Sequence, residues 1–367
     1  MDFLFPSFGL LLFLIIIWIW RTYRRSNCQD QQQQIRDSQA IFGDLSKHTG
    51  HEFIKIDVYD KPTYSSSSGQ PLLFGGLRCE KCGICVGKSE KQEAINYLKC
   101  KPSFIEDEAT TPKEETCDIT SSANSGQEPE DDSFGVSRDH HWVMGNLPLL
   151  SICSVCKKPA GVEPKLVDYF CSLCHVACHD KCLGTFMSAM STRFCTLGPL
   201  APFVIPPWCV RAIKKGLSAS DLLKGQTHSK MALNRITFPP NLTPEQWRPV
   251  FVFANRLSGN GVDAEHVLSA FSHYLNPTCQ VFDLAVTKNL QTILMALIKF
   301  LPHEVETIII LVAGGDGTVR WIADSVSKLK ANEDLKVKFE IAVFPLGTGN
   351  DLAQGLLNKF YFFLSID

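Results

Sequence analysis

Hydrophobic positions change character twice along the chain. From Phe3 to Trp20 they are nearly continuous, broken only by Pro6, Ser7 and Gly9. From there to about residue 248 they are scattered among cysteines, serines and charged residues. After Pro249, short β-rich runs at 250–255, 280–285, 307–313 and 339–345 alternate with stretches of helical spacing at 264–275, 290–301 and 319–329. Runs that are apolar throughout, such as 308–312, mark strands buried on both faces. Strand–helix alternation of this kind predicts a parallel α/β sheet covered by helices, with ligands near the carboxyl ends of its strands.

The first run is long enough to matter. Eighteen helical residues at ~1.5 Å each reach ~27 Å, the thickness of a thin bilayer. It closes on Trp18 and Trp20 and then Arg21, Arg24 and Arg25, the aromatic-then-cationic order of a cytoplasmic flank. No positive segment precedes it and no small-x-small site follows, which argues against a cleaved signal peptide. The expectation is a transmembrane helix at 3–20, with a cytosolic body held at the endoplasmic reticulum or plasma membrane.

Composition narrows the remainder. A chain of 367 residues, 45% hydrophobic and 20% charged, supports a multidomain protein. Its 36 Lys+Arg against 38 Asp+Glu leave no basic excess, so no nucleic-acid partner is expected. Residues 21–47, with glutamines from Gln31 to Gln34, form a polar juxtamembrane linker. Ten acidic residues against one lysine, Lys113, between Glu106 and Asp132 predict a disordered linker over 101–138. Residues 210–248, with Lys214, Lys215, Lys224 and Lys230, suggest a helical connector.

Fifteen cysteines in a reducing compartment favour metal over disulfides. His140, twelve intervening residues, and Cys153-x-x-Cys156 are followed, after fourteen more, by Cys171-x-x-Cys174 and then by His179, Cys182 and Cys195. Eight such ligands make two tetrahedral Zn²⁺ sites, because a two-residue gap lets paired thiolates close on one ion. This spacing resembles the C1 domain of lipid-signalling proteins. The resemblance implies a small α+β module at 139–209 with interleaved sites. His140, Cys171, Cys174 and Cys195 would hold one zinc, and Cys153, Cys156, His179 and Cys182 the other. By the same resemblance, residues 48–100 are a degenerate copy. Ser65 and Ser68 stand where the first cysteine pair belongs, and Gly87 and Glu90 where a His and a Cys belong. A serine hydroxyl is not ionised near neutral pH, so one site at most remains here, from His51, Cys79, Cys82 and Cys100.

Three glycine motifs each follow a predicted strand: Asn255-x-x-Ser258-Gly259, Gly314-Gly315-Asp316-Gly317-Thr318, and Leu346-Gly347-Thr348-Gly349-Asn350-Asp351. Glycines there let backbone N–H groups approach phosphate oxygens, and the next helix N-terminus adds a favourable dipole. Helix capping explains Asp316 or Thr318 singly, but not three such loops along one sheet edge. A nucleotide site is therefore expected.

Gly-Gly-Asp-Gly-Thr is shared by diacylglycerol, sphingosine and NAD kinases. With the other two loops and the C1-like segments, the chain resembles the diacylglycerol kinases, of epsilon type, along most of its length. The resemblance implies ATP- and Mg²⁺-dependent phosphorylation of diacylglycerol to phosphatidic acid, with the substrate in membrane lipid. Asp316 would be catalytic, positioning the Mg²⁺-bound nucleotide. Gly314, Gly315, Gly317 and Thr318 would hold the phosphates, with Asn255, Ser258 and Gly259 beside them and Gly347, Thr348, Gly349 and Asn350 completing the cradle. The chain stops sixteen residues after Asp351, and 357–367 no longer resembles the family. This implies a truncated catalytic domain at 249–367, with an open sheet edge and an incomplete lipid site. A second reading is a catalytically dead form acting as a membrane-anchored zinc scaffold or regulator.

Overall fold

A computed structural model of the chain describes residues 33, 38, 41–59, 61–107, 138–215, 230–258, 262–286, 289–332, 335–346, 351 and 363–366. The chain divides into two units. The smaller lies within 1–45, 106–132 and 212–234, and the larger comprises 46–105, 133–211 and 235–367.

In the larger unit, two small antiparallel sheets come first. One consists of β1 (Phe53–Ile56), β2 (Gly76–Cys79) and β3 (Cys85–Val86), followed by helix α1 (Lys91–Tyr97). After the short strand β4 (Ile105–Glu106), the second consists of β5 (Trp142–Met144), β6 (Tyr169–Cys171) and β7 (Ala177–Cys178), followed by α2 (Asp180–Ser188). Sheets this short bury little aliphatic surface. Cysteines occupy their centres instead: Cys79, Cys82, Cys153 and Cys171 are all 0% exposed. That is the signature of a fold held by metal more than by a core.

The smaller unit holds the sheet β4-β8-β9, with β8 at Val210–Lys215 and β9 at Lys230–Ile236. Within it Asp44 accepts the Met231 N–H at 2.9 Å, and Asn234 donates to Asp107 at 3.1 Å. These strands correct the helical connector expected over 210–248. The lysines suggested a solvated helix, yet Ala212, Ile213, Met231, Ala232 and Leu233 are buried.

The apolar runs beyond Pro249 form the parallel sheet. Its strands are β10 (Val250–Ala254), β11 (Val281–Asp283), β12 (Thr307–Gly314), β13 (Lys338–Pro345) and β14 (Phe363–Ile366), in the order β11-β10-β12-β13-β14. The first four are parallel. Phe251, Val252, Phe253, Ile310 and Val312 are fully buried, as strands covered on both faces require. Helices α3 (Val262–Tyr274), α4 (Leu290–Phe300) and α5 (Asp316–Asn332) connect them. In α4 the buried positions Leu290, Ile293, Leu294 and Leu297 recur at one-face spacing, and Asn289 caps its start by accepting the Thr292 N–H. The chain leaves β10 for β11 on one side and then crosses to β12 on the other. Strand order therefore reverses between β10 and β12, and a crevice opens at their carboxyl ends. The β13 edge is covered, because β14 pairs antiparallel with it, Phe339 opposite Ile366 and Ala342 opposite Phe363, and β14 and β11 are the outer strands of the sheet.

A buried polar knot ties the cysteine-rich modules to this sheet. Gln280, 0% exposed, donates from Nε2 to the Phe203 and Val250 carbonyls, both at 2.8 Å. Its Oε1 accepts the N–H groups of Ile205 at 2.8 Å and Asn276 at 3.1 Å. Asn276 in turn donates to the carbonyls of Ser103 at 2.7 Å and Ile205 at 3.1 Å. The buried Lys101 donates to the carbonyls of His273 and Leu275 at the end of α3, where a cation complements the helix dipole. Burial lowers its pKa to about 8. Residues 101–103, assigned to the acidic linker, are thus packed rather than disordered, and 108–137 lie outside the described residues.

The membrane expectation is also corrected. Residues 3–20 lie outside the described residues, and among the described residues no helix is long and apolar enough to cross a membrane. The single-pass placement is withdrawn on that finding.

Replacing Gln280 with Ala strands the Val250 carbonyl and the Ile205 and Asn276 N–H groups, while the Phe203 carbonyl keeps the Val250 N–H. The expected loss is about 2–4 kcal/mol of stability, since each buried unpaired group costs about 1–3 kcal/mol and relaxation recovers part of it. A thermal melt showing an unchanged midpoint for Gln280→Ala would contradict the knot.

Candidate metal and phosphate sites

Among the described residues, three groups of four side chains bring their ligand atoms within 4.8 Å of one another. They are His51/Cys79/Cys82/Cys100, His140/Cys171/Cys174/Cys195 and Cys153/Cys156/His179/Cys182. The last two are the interleaved sets that the C1 resemblance implies, and the first is the site left to the degenerate module. Each is a Cys₃His donor set of the kind that suits tetrahedral zinc.

All three histidines are oriented alike. Nε2 of His51 lies 2.9 Å from the Leu98 carbonyl, that of His140 3.0 Å from Thr192, and that of His179 2.9 Å from Pro159. An Nε2–H donated to a carbonyl leaves Nδ1 free to ligate. In each case Nδ1 faces sulfur, at 3.4 Å from Cys82, 3.4 Å from Cys174 and 3.2 Å from Cys156. Burial alone would depress His51 and His140. The facing sulfurs, Cys79 and Cys82 for one and Cys171 and Cys174 for the other, outweigh it and raise both to about 10. Burial would raise Cys153, but the backbone N–H groups of Cys156, His179 and Val155 bring it down to about 6. Such thiolate character is what a metal ligand needs.

At the other ligand positions of the first module, hydrogen bonds replace metal. The Ser65 hydroxyl donates to the Glu90 carboxylate, and the Gly87 N–H donates to the same oxygen at 2.7 Å. Ser65 Oγ accepts the N–H groups of Ser67 at 3.2 Å and Ser68 at 3.3 Å. Partial burial would raise the Glu90 carboxyl, yet the bonds from Ser65, Ser68 and Gly87 hold it below the usual carboxylate range.

The described residues that flank the three glycine motifs come together at the carboxyl ends of β10, β12 and β13. The Asn255 backbone donates to the Ala313 carbonyl at 3.0 Å, and its Nδ2 donates to Thr318 Oγ1 at 3.2 Å. Its Oδ1 accepts the Leu257 N–H at 3.0 Å, and its carbonyl accepts that of Ser258 at 3.0 Å. Arg256 pairs with Asp283 at 2.7 Å, tying this loop to the end of β11. Asp316 opens the 17-residue α5, and Thr318 is buried within its first turn. A Cβ on Gly314 would come within 2.8 Å of Thr318 Cβ, so only glycine fits that turn. At Gly317 a Cβ would meet nothing within 4 Å, which leaves open space over the helix N-terminus. The third loop is held by Leu346, whose N–H donates to the Gly314 carbonyl at 3.2 Å, and by Asp351, whose N–H donates to Asp316 Oδ2 at 3.0 Å. Gly259, Gly347, Thr348, Gly349 and Asn350 lie outside the described residues. The Arg256–Asp283 pair and the Glu90 network were not anticipated from sequence. Arg256, Ser65, Gly87 and Glu90 lie at motif positions, but the motifs do not specify these pairings.

Residues 249–360 match the family described as the diacylglycerol kinase catalytic domain, and residues 140–191 match the phorbol esters/diacylglycerol binding (C1) domain. The chain is 31% identical over 299 residues to diacylglycerol kinase delta of Mus musculus, which covers 81% of this chain and 20% of that protein. It is 30% identical over 311 residues to diacylglycerol kinase eta of Drosophila melanogaster, covering 84% of this chain and 14% of that protein. Diacylglycerol kinase eta of Mesocricetus auratus is 31% identical over 299 residues, covering 81% and 21%. The chain thus spans about a fifth or less of the length of these relatives. No solved structure matches it.

Elemental analysis of the native chain should find three zinc ions, falling by one in Cys82→Ser; a count of two, unchanged by that substitution, would remove the first site. Because the Glu90 carboxyl is depressed in the folded state, its stabilisation is complete above the ordinary carboxylate range and fades as pH falls below that range. Acid titration of Glu90→Gln against wild type should therefore show a stability difference at neutral pH that closes in acid.

Proposed function

Residues 249–360 belong to the diacylglycerol kinase catalytic family and residues 140–191 to the C1 family, and on that premise we propose that the chain transfers the γ-phosphoryl group of ATP to the free hydroxyl of diacylglycerol, yielding phosphatidic acid. The observation that supports this reading is the joining of residues flanking the three glycine motifs, Asn255 to Thr318 and Asp351 to Asp316, at the strand-order reversal, with Asp316 at the amino end of α5.

The roles follow from that geometry. Backbone N–H groups at Gly315 and Gly317, in the open space at the helix N-terminus, receive phosphate oxygens with the dipole behind them. The Asp316 carboxylate is the donor that would hold Mg²⁺, which when bound supplies neutralisation of phosphate charge. The Asp351 N–H fixes that carboxylate, so the third loop sets its position. Asn255 grips Thr318 and sets the distance between the first and second loops. Ser258 and Gly259 would complete the nucleotide contacts from the first loop, and Gly347, Thr348, Gly349 and Asn350 those from the third. Phosphoryl transfer rests mainly on such positioning and on charge stabilisation. Zinc at the Cys₃His groups would be structural, holding the modules folded.

The finer epsilon-type reading is supported by the paired cysteine-rich segments and by the continuation of the second through the buried Pro206 and Pro207.

Asp316→Asn keeps an acceptor for the Asp351 N–H while removing the charge. Supplied with ATP, Mg²⁺ and diacylglycerol micelles, wild type should form phosphatidic acid and Asp316→Asn at least about a hundredfold less, the scale of losing a charge-stabilising group. Equal rates would remove Asp316 from the mechanism, and no product from either chain would favour the zinc-scaffold reading.

A further inference from the structure

Asn255 and Arg256 leave the end of β10 in opposite directions. In the sheet, β10 lies between β11 and β12. The Asn255 amide turns toward β12, donating from Nδ2 to Thr318 Oγ1 at 3.2 Å in the first turn of α5. The Arg256 guanidinium turns toward β11. Its Nε lies 2.7 Å from Asp283 Oδ2 at the end of that strand, and its Nη1 lies 3.3 Å from Glu265 Oε1 in the first turn of α3. Two consecutive residues thus staple the chain leaving β10 to the elements on either side.

The receiving end is built as firmly. Asp283 Oδ1 accepts the Ala285 N–H at 2.9 Å, and Leu284 donates its N–H to the Ala254 carbonyl at 2.8 Å. The Glu265 arm closes the segment 256–265, which carries Ser258, Gly259 and Gly261. Glu80 of the first cysteine-rich module adds a third negative charge within the field of the same guanidinium. An arginine inside a glycine motif invites the reading of direct phosphate contact, because its planar fork matches phosphate oxygens. Here carboxylates already occupy the fork. Releasing it would take the compensating charge from Asp283, whose side chain is only 14% exposed. Arg256 itself is half exposed, so solvent screens the pair, and it fixes direction more than it adds stability.

We infer that Arg256 is a positioning residue for the nucleotide: it holds the path from β10 to α3 through Asp283 and Glu265, so that Ser258 and the glycines after it are presented to the phosphates, without touching them itself. The inference rests on the reading of the crevice as an ATP site. A loop that contacts the nucleotide before and during transfer contributes to both states alike, so its misplacement weakens affinity more than turnover.

Calorimetric titration of the full, zinc-loaded chain with a non-hydrolysable ATP analogue and Mg²⁺ tests this, with a thermal midpoint recorded for every variant. Arg256→Ala should weaken binding by about tenfold or more, the scale of a small displacement of binding groups. Arg256→Lys, which keeps a cation for Asp283, should recover part of that loss. Asp283→Asn separates positioning from contact, and asparagine still offers an acceptor to the Ala285 N–H. If Arg256 positions the loop, Asp283→Asn weakens binding as Arg256→Ala does, and the double variant is no worse than the worse single. If Arg256 met phosphate, Asp283→Asn would free it and tighten binding, which overturns the inference. A lowered midpoint with wild-type affinity in Arg256→Ala marks a merely structural pair and overturns it too. Absence of binding in every chain, wild type included, overturns the nucleotide reading and this inference with it, so the two failures are told apart.

Discussion

The larger unit depends on one amide. Gln280 stands between β10 and the segment that follows the second cysteine-rich module, and its side chain satisfies backbone groups on Phe203, Ile205, Val250 and Asn276 at once. A cysteine-rich module of fifty residues has too little apolar surface to dock through burial alone. A buried polar contact that is fully satisfied supplies orientation as well as energy, since any other docking angle leaves several groups unpaired. Asn276 extends the constraint to Ser103, and Lys101 extends it to the end of α3. Both modules are thereby registered against the helix that follows the first glycine loop.

The crevice at the strand-order reversal has its own set of constraints. Asn255, Gly314 and Asp316 lie on loops that flexible glycines would otherwise leave loose. Each is fixed by a neighbour from a different loop: Thr318 for Asn255, Leu346 for Gly314 and Asp351 for Asp316. The interlock means that the geometry belongs to the three strands together and to none of the loops alone.

How far this was legible in the sequence varies with the range of the interaction. Strands such as 307–314 announced themselves because burial on both faces demands an unbroken apolar run. The zinc ligands were legible because half of each site comes from one short Cys-x-x-Cys pair. The strands at 210–215 and 230–236 were missed because lysines such as the exposed Lys214 imitated a solvated helix. Gln280, Asn276 and Lys101 could not be found, since their partners are backbone groups up to 174 residues away, and a backbone group leaves no mark on a sequence. The Glu90 network was half visible. The loss of the cysteine pair could be read, but what filled the space could not.

That exchange in the first module alters its chemistry toward oxidants. A thiolate cluster is oxidisable and releases its metal when it is, whereas Ser65, Gly87 and Glu90 offer no sulfur to attack. The module that was poorest in ligands therefore has one half whose integrity is independent of both cellular zinc and redox poise. Oxidation of the chain would therefore fall on its three Cys₃His groups, while the Ser65–Glu90 clasp offers it no target.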